Sequence, residues 1–286
     1  YLFKTTDYGK TWQRIDAGIN RMHFTRAIRA DKKRAGLLYA GTEFGMYISY
    51  NDGASWNKFQ LNMPVVPITD MTIKNNDLIV GTQGRSIYIL DDLTTVQQYE
   101  PFIAEKNFVA FTPAPAYRMQ VAGRGWRNAG AAPRNAGANP MPGAVIPFYI
   151  KGGADTLKAT VVVMDKNRNV IKTYGTAEKD NKIELKNGLN QFAWDLNYPE
   201  GERVPEGTIL WNRARMVAMA PPGEYIAKMK VGKDSAEVTF TVLADPNYKV
   251  SQTEYEAQFS FLRKAQAKFD EVMRAQKDMT EIRKQM

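Results

Sequence analysis

The sequence predicts an all-β chain that ends in a helix, on three observations. Thr5-Thr6-Asp7-Tyr8-Gly9-Lys10-Thr11-Trp12 recurs as Ser49-Tyr50-Asn51-Asp52-Gly53-Ala54-Ser55-Trp56, one pattern (Ser/Thr)-x-(Asp/Asn)-x-Gly-x-(Ser/Thr)-Trp repeated 44 residues later. Seven or eight short runs of strand-forming residues then fill about 135 residues, as in a β-sandwich. Last, Ser251-Gln252-Thr253-Glu254 is a capping box, and apolar residues follow it at helical spacing. A period of 44 residues is that of a propeller blade. The expected order is therefore the last blades of an incomplete β-propeller over residues 1–100, a β-sandwich over 101–246 and a long amphipathic α-helix over 247–286.

Each eight-residue motif reads as one folding unit. Asp7 or Asn51 can bond backbone N–H groups two residues on, Gly9 and Gly53 supply a positive φ, and Thr11 or Ser55 adds a local bond. Trp12 and Trp56 are expected to bury their rings between strands. Asp7 is thus a turn carboxylate rather than a catalytic acid, because its own turn occupies it. These residues resemble the Asp-box (BNR) repeats of sialidases, xyloglucanase-type glycosidases and sortilin-type receptors, over roughly residues 1–95. The resemblance implies a propeller and no particular activity.

Residues 37–49 and 78–90 repeat one arrangement of two short strands around a tight turn, with Gly41-Thr42 matching Gly81-Thr82 and Tyr47-Ile48 matching Tyr88-Ile89. Asp92 falls 41 residues after Asn51 but lacks the Gly and Trp, so it marks a decayed box at a last blade. The run from Gly81 to Asp92 resembles the Gly-Thr-x-Gly-Arg-x-Ile-x-Ile-Leu-Asp-Asp of large secreted sortilin-like bacterial BNR proteins; many of these have His where this chain has Gln83. That resemblance implies an extracytoplasmic location: periplasm, cell surface or medium. Tyr1 already lies in a strand pattern, so a piece of a longer chain is expected, with missing N-terminal blades supplied by the same or a cleaved polypeptide.

In the usual blade order the boxes lie on one rim, and the loops joining strands two and three, with those between blades, open on the opposite face. Propellers of this kind bind ligands there. The scheme puts His23, Arg26, Glu43, Gln83 and Arg85 on that face as candidate ligand-binding residues, Arg85 best of all because Gly84 lets a ligand approach. Its carboxylates would be Glu43, Asp70 and Asp31.

Composition narrows the functions. The 286 residues include no cysteine and a single histidine, which excludes disulfides, thiolate metal sites and clustered His ligands, so neither metal nor cofactor is expected. The net charge of +9 reads as a basic bias on a solvated surface, since no basic, aromatic-interleaved nucleic-acid motif accompanies it. No apolar run approaches the roughly 20 residues that span a membrane.

Residues 112–143 are rich in Ala, Gly, Asn and Pro, carry Arg118, Arg124, Arg127 and Arg134, and contain no acid; a flexible basic loop is expected. Strands are expected at 108–111, 145–150, 158–164, 170–174, 182–185, 190–196, 225–231 and 236–242, with turns at 165–167 and 186–188. Gly188 to Asp195 and Pro221 to Tyr225 resemble the immunoglobulin- or fibronectin-III-like domain of flagellar hook-cap and other bacterial surface proteins. Phe192 and Trp194 would face the core, while Tyr198 and Trp211 could stack on sugars. The helical stripe of Tyr255, Phe259, Leu262, Ala265, Phe269, Val272, Met273, Met279 and Ile282 requires a partner, whether the sandwich, a second helix of a truncated hairpin or another chain.

The function expected is that of a binding or scaffold protein whose propeller recognises a peptide, protein or glycan. The alternative is a glycoside hydrolase of the sialidase or xyloglucanase type, with its carboxylates mostly in missing blades. A propeller peptidase is disfavoured because no Gly-x-Ser-x-Gly elbow is present.

Overall fold

The computed structural model describes residues 1–119, 141–202 and 217–285. It is mostly antiparallel β-sheet with one long C-terminal helix, and it divides into two compact units, Tyr1–Tyr99 and Glu100–Met286.

The first unit is three small sheets. Strands β1 (Phe3–Lys4) and β2 (Gln13–Arg14) form the first; β3 (Thr25–Ala30), β4 (Leu38–Thr42), β5 (Gly45–Ser49) and β6 (Asn57–Lys58) the second; β7 (Ile68–Lys74), β8 (Asp77–Thr82) and β9 (Ile87–Leu90) the third, followed by the short helix α1 (Thr94–Gln98). The sequence repeat is a repeat of register. Phe3 pairs Arg14 and Lys4 pairs Gln13, as Tyr47 pairs Lys58 and Ile48 pairs Asn57.

Alternation along β4 and β5 makes the middle sheet two-faced. Leu38, Ala40 and Tyr47 join Leu2, Ile15 and Trp56 on one side, while Tyr39, Met46 and Ile48 join Ile68, Met71, Leu78 and Val80 on the other. The third sheet carries Ile79, Ile87 and Ile89 at the positions of Tyr39, Met46 and Ile48. Ile87 and Ile89 are 67% and 57% exposed where Met46 and Ile48 are 3%.

Both box turns are built alike, with two differences from the expected chemistry. The amide bonded by Asp7 Oδ1 is that of Thr11, four residues on at 2.9 Å, and Ser55 N bonds Asn51 Oδ1 likewise at 2.8 Å. The hydroxyls of Thr5 and Ser49 receive the amides of Gly9 and Gly53 instead. The cause is a pair of consecutive left-handed residues, Tyr8-Gly9 and Asp52-Gly53, which carries the chain further round than one glycine would. Trp56 is buried as expected but Trp12 is 61% exposed, because Trp56 is covered by Leu2 and Ile15 of the preceding sheet and no preceding sheet lies over Trp12 among the described residues. Asp92 makes the shorter Asx-turn: its Oδ1 accepts from Thr94 N, two residues on, at 3.0 Å, and the chain runs into α1.

The two boxes should respond differently to acid. Bonds from the Thr11 hydroxyl and amide hold Asp7 down to about 2 from 3.8, whereas Asn51 has no proton to gain. With the folded-state value depressed, the carboxylate's contribution is complete above pH 3.8 and is lost as the pH falls through about 2. The Thr11 amide resonance should titrate with that midpoint while the Ser55 amide stays flat, and Asp7→Asn should abolish the titration. A Thr11 midpoint near 3.8 would contradict the hydrogen-bond account.

The second unit holds β10 (Phe108–Ala110), β11 (Ala116–Arg118), β12 (Ala144–Ile150), β13 (Ala159–Asp165), β14 (Val170–Gly175), β15 (Gly188–Trp194), β16 (Gly223–Val231) and β17 (Asp234–Ala244). They form a three-stranded sheet, β10-β12-β15, and a five-stranded sheet, β11-β17-β16-β13-β14. One core draws on both, with Ile146, Phe148, Phe192 and Trp194 from the first and Val161, Val163, Met229, Phe240 and Val242 from the second.

Two local expectations fail here. Residues 182–185 are not a strand: Gly175 N donates to Asn181 O and Ile183 N to Gly175 O, each at 3.1 Å, which leaves a single bridge from Gly175 to Lys182. The span 112–143, expected as loop throughout, contains β11, parallel to β17. Three residues with one buried alanine are too short a pattern to stand out beside prolines. Arg124, Arg127, Arg134 and Trp211 lie outside the described residues.

Helix α2 (Gln252–Gln285) opens on the expected capping box: Ser251 N donates to Glu254 Oε2 at 2.8 Å, and Glu254 N donates to Ser251 Oγ at 3.3 Å. Its inner stripe meets residues 198–202. Phe259 lies 4.7 Å from the Tyr198 ring, Gln266 Nε2 donates to Pro199 O, and Asp270 Oδ1 accepts from Glu202 N. Phe261, Val272, Met279 and Ile282 remain exposed. Among the described residues no helix is long and apolar enough to cross a membrane.

Candidate binding rim

One end of the first unit gathers the loops before β3, between β4 and β5, before β7 and between β8 and β9. The pairs Thr25 with Thr42 and Ile68 with Thr82 put these loops at the same end of their sheets. Three backbone bonds stitch them together: Glu43 N to Phe24 O at 3.1 Å, Gly45 N to Val66 O at 3.1 Å and Gln83 N to Pro67 O at 2.9 Å. Adjacent carbonyls of Val66 and Pro67 thus tie the loop of Glu43 to that of Gln83.

Repeated Gly-Thr pairs shape the turns. Thr42 Oγ1 donates to Gly45 O and accepts from Phe44 N, and Thr82 Oγ1 donates to Ser86 O. Gly45, at φ +96°, is also required by space. A Cβ there would fall 1.9 Å from Gln60 Oε1, whose amide nitrogen bonds Met63 O and Pro64 O and so fastens the loop before β7.

The expected site residues divide into two groups. His23, Arg26 and Glu43 come together: a 2.9 Å hydrogen bond links His23 Nδ1 with the Tyr47 hydroxyl, and the imidazole lies 4.7 Å from the Phe44 ring at 30°. Arg26 Nε donates to Glu43 Oε1 at 2.6 Å, and its Nη2 closes on the same oxygen. Gln83 and Arg85 sit apart on the exposed turn of the third sheet. Gly84 there has φ +80° and open space beside it, and Arg85 forms no hydrogen bond or ion pair among the described residues.

Of the carboxylates expected at this end, Glu43 is paired with Arg26 and Asp70 with Arg29 at 2.5 Å. Asp31 belongs to the other end, after β3, where it is buried and accepts from the amides of Lys33 and Arg34, the Tyr39 hydroxyl and Gln97 Nε2. Burial alone would raise its pKa, but these donors together hold it below the ordinary value. The same burial, with the Asp31 charge, pushes the Tyr39 hydroxyl far up. Asp31 is a structural anchor.

Sequence reasoning passed over the apolar part of the rim. Met22, Phe24 and Phe44 stand in solvent, 75%, 65% and 46% exposed, around the Arg26–Glu43 pair. The signal was there: three large apolar side chains in loops that need none for the core. Such an arrangement can bury an apolar or aromatic surface while an ion pair and an imidazole fix its orientation. Among the described residues no three His, Asp or Glu side chains converge to hold a metal ion. No protein-family model matches the chain, and no curated protein matches it.

Proposed function

We propose that this chain is part of an Asp-box β-propeller protein of the sortilin-like kind, located outside the cytoplasm, that binds a peptide, protein or glycan at the loop rim of residues 22–26, 43–45 and 83–85. The observation that carries the binding reading is the exposed trio Met22, Phe24 and Phe44 around a preformed ion pair. Surface aromatics beside an arginine are the usual anchors of recognition. Hydrolysis of the xyloglucanase type needs two carboxylates flanking the bond, and Glu43 and Asp70 are each held by an arginine.

The propeller reading is supported by equal box registers 44 residues apart and by sheets that stack face on face. Further sheets of the same kind, from the same or a separate polypeptide, would cover Trp12 at one end and Ile87 and Ile89 at the other. For the second unit the immunoglobulin-like reading is supported by Trp194 under both sheets and by the Tyr225 hydroxyl, which donates to Pro221 O at 2.7 Å in the manner of a tyrosine corner. The exposed stripe of α2 is an assembly surface in this reading.

The test is a screen of peptide and glycan arrays with the wild-type chain, Phe24→Ala and Phe44→Ala. Each substitution should weaken the selected ligand about tenfold or more without lowering the melting temperature, as both rings stand in solvent. Turnover of an aryl glycoside that disappears in Glu43→Ala would replace this reading with the hydrolase one.

A further inference from the structure

A second concavity, in the unit Glu100–Met286, lies between the end of β11, the turn after β17 and the first turns of α2, with a volume of about 500 Å³. At its wall is Arg118. Its Nε donates to Ala220 O at 3.0 Å, its Nη2 donates to Gln258 Oε1 at 2.9 Å, and the guanidinium lies 4.8 Å over the Tyr255 ring. These contacts hold the fork still and use two of its five hydrogens. No carboxylate pairs with it among the described residues, although burial works against its charge and pulls its pKa below the ordinary value. A half-buried guanidinium held rigid by neutral groups is poised for an anion that arrives from outside.

The remaining lining restricts which anion. Asp245 and Glu254 face the same groove, each tied by one oxygen. Asp245 Oδ1 accepts from Asn247 N and Nδ2, Glu254 Oε2 from Ser251 N and Oγ. The second oxygen of each carboxylate has no bond among the described residues and is an acceptor for ligand hydroxyls. The helix end contributes no anion site of its own, as its capping box is closed. Among the described residues two carboxylates against one guanidinium leave the lining net negative, which disfavours multiply charged phosphates and sulfated chains and leaves Arg118 as the place for a single carboxylate. Tyr248, 68% exposed on the same lining, offers a flat ring to an apolar face.

We propose that this groove binds a carboxylated sugar of the uronic acid type, with its carboxylate on Arg118, its hydroxyls on Asp245 and Glu254, and one sugar face on Tyr248. The open shape suits a unit within an oligosaccharide. This site is independent of the loop rim, since no residue is shared.

Calorimetric titration of the full chain with an aldouronic acid, an otherwise neutral xylose oligomer that bears one uronic acid, and with the same oligomer lacking that uronic acid, tests the assignment. The uronate should bind at least about tenfold more tightly, and Arg118→Gln should remove that preference. Tyr248→Ala, at an exposed position, should weaken both oligomers several-fold with the melting temperature unchanged, which keeps the test intact if the arginine variant is unstable. Phe44→Ala should leave uronate binding unaffected, so that failure at the rim and failure here can be told apart. Equal affinity for the neutral oligomer, stronger binding of a sulfated chain or of a free amino acid, or binding indifferent to both groove substitutions would each overturn the proposal.

Discussion

Trp56→Ala is expected to cost about 3–5 kcal/mol of stability, while Trp12→Ala, at the same place in the other box, should cost less than about 1 kcal/mol. Trp56 is 4% exposed and packs with Leu2, Ile15, Leu38, Ala40 and Tyr47. Its Nε1 donates to Ile15 O at 2.6 Å, and its backbone carbonyl comes so close to Gly18 that a Cβ there would lie 2.4 Å away. Truncation would leave a cavity between two sheets and an unpaired carbonyl. Among the described residues the Trp12 indole bonds only Gly9 O, within its own turn, and it is mostly in solvent. Urea midpoints followed by circular dichroism for the two variants measure the difference. Equal large losses would mean that Trp12 is covered in solution, by a further sheet or by a second molecule, and would identify that end of the repeat as an interface.

The contrast also shows what a repeated motif can and cannot tell. Both boxes were legible because their turn is local: the hydroxyl, the Asp or Asn and the glycine meet within eight residues. The burial of the tryptophan depends on the neighbouring sheet and is invisible in the motif. Loop ends were legible for the same reason the boxes were, since counting from them located His23, Arg26 and Glu43 at one rim, but the ion pair that joins Arg26 to Glu43 spans 17 residues and no pattern announces it. Asp31 was misplaced because strand β3 ends just before it, which carries it to the far end of the sheet. In the second unit the long alternating strands were plain, whereas β11 owes its existence to pairing with β17 more than 100 residues away.

Trp194→Ala should be at least as damaging, at about 3–5 kcal/mol, because this ring is fully buried where both sheets of the second unit meet. It lies 5.1 Å from the Tyr225 ring and 5.9 Å, edge on, from Phe240, and its Nε1 donates to Asn197 O at 3.1 Å. Removing the indole breaks both aromatic contacts, opens a cavity that β-strands fixed by their ladders fill poorly, and strands the Asn197 carbonyl, which lies in the connection from β15 to β16. Trp194→Phe keeps much of the packing and loses the hydrogen bond, so about 1–2 kcal/mol is expected of it. Tyr225→Phe isolates the corner bond to Pro221 O and should cost about 1 kcal/mol. Hydrogen exchange of β15, β16 and β17 amides reads all three variants, and the order of acceleration should be Trp194→Ala, then Trp194→Phe, then Tyr225→Phe. If Trp194→Phe were as damaging as Trp194→Ala, the bond to Asn197 rather than the packing would dominate, and the chain from 195 to 198 would be the element that holds the sheets together.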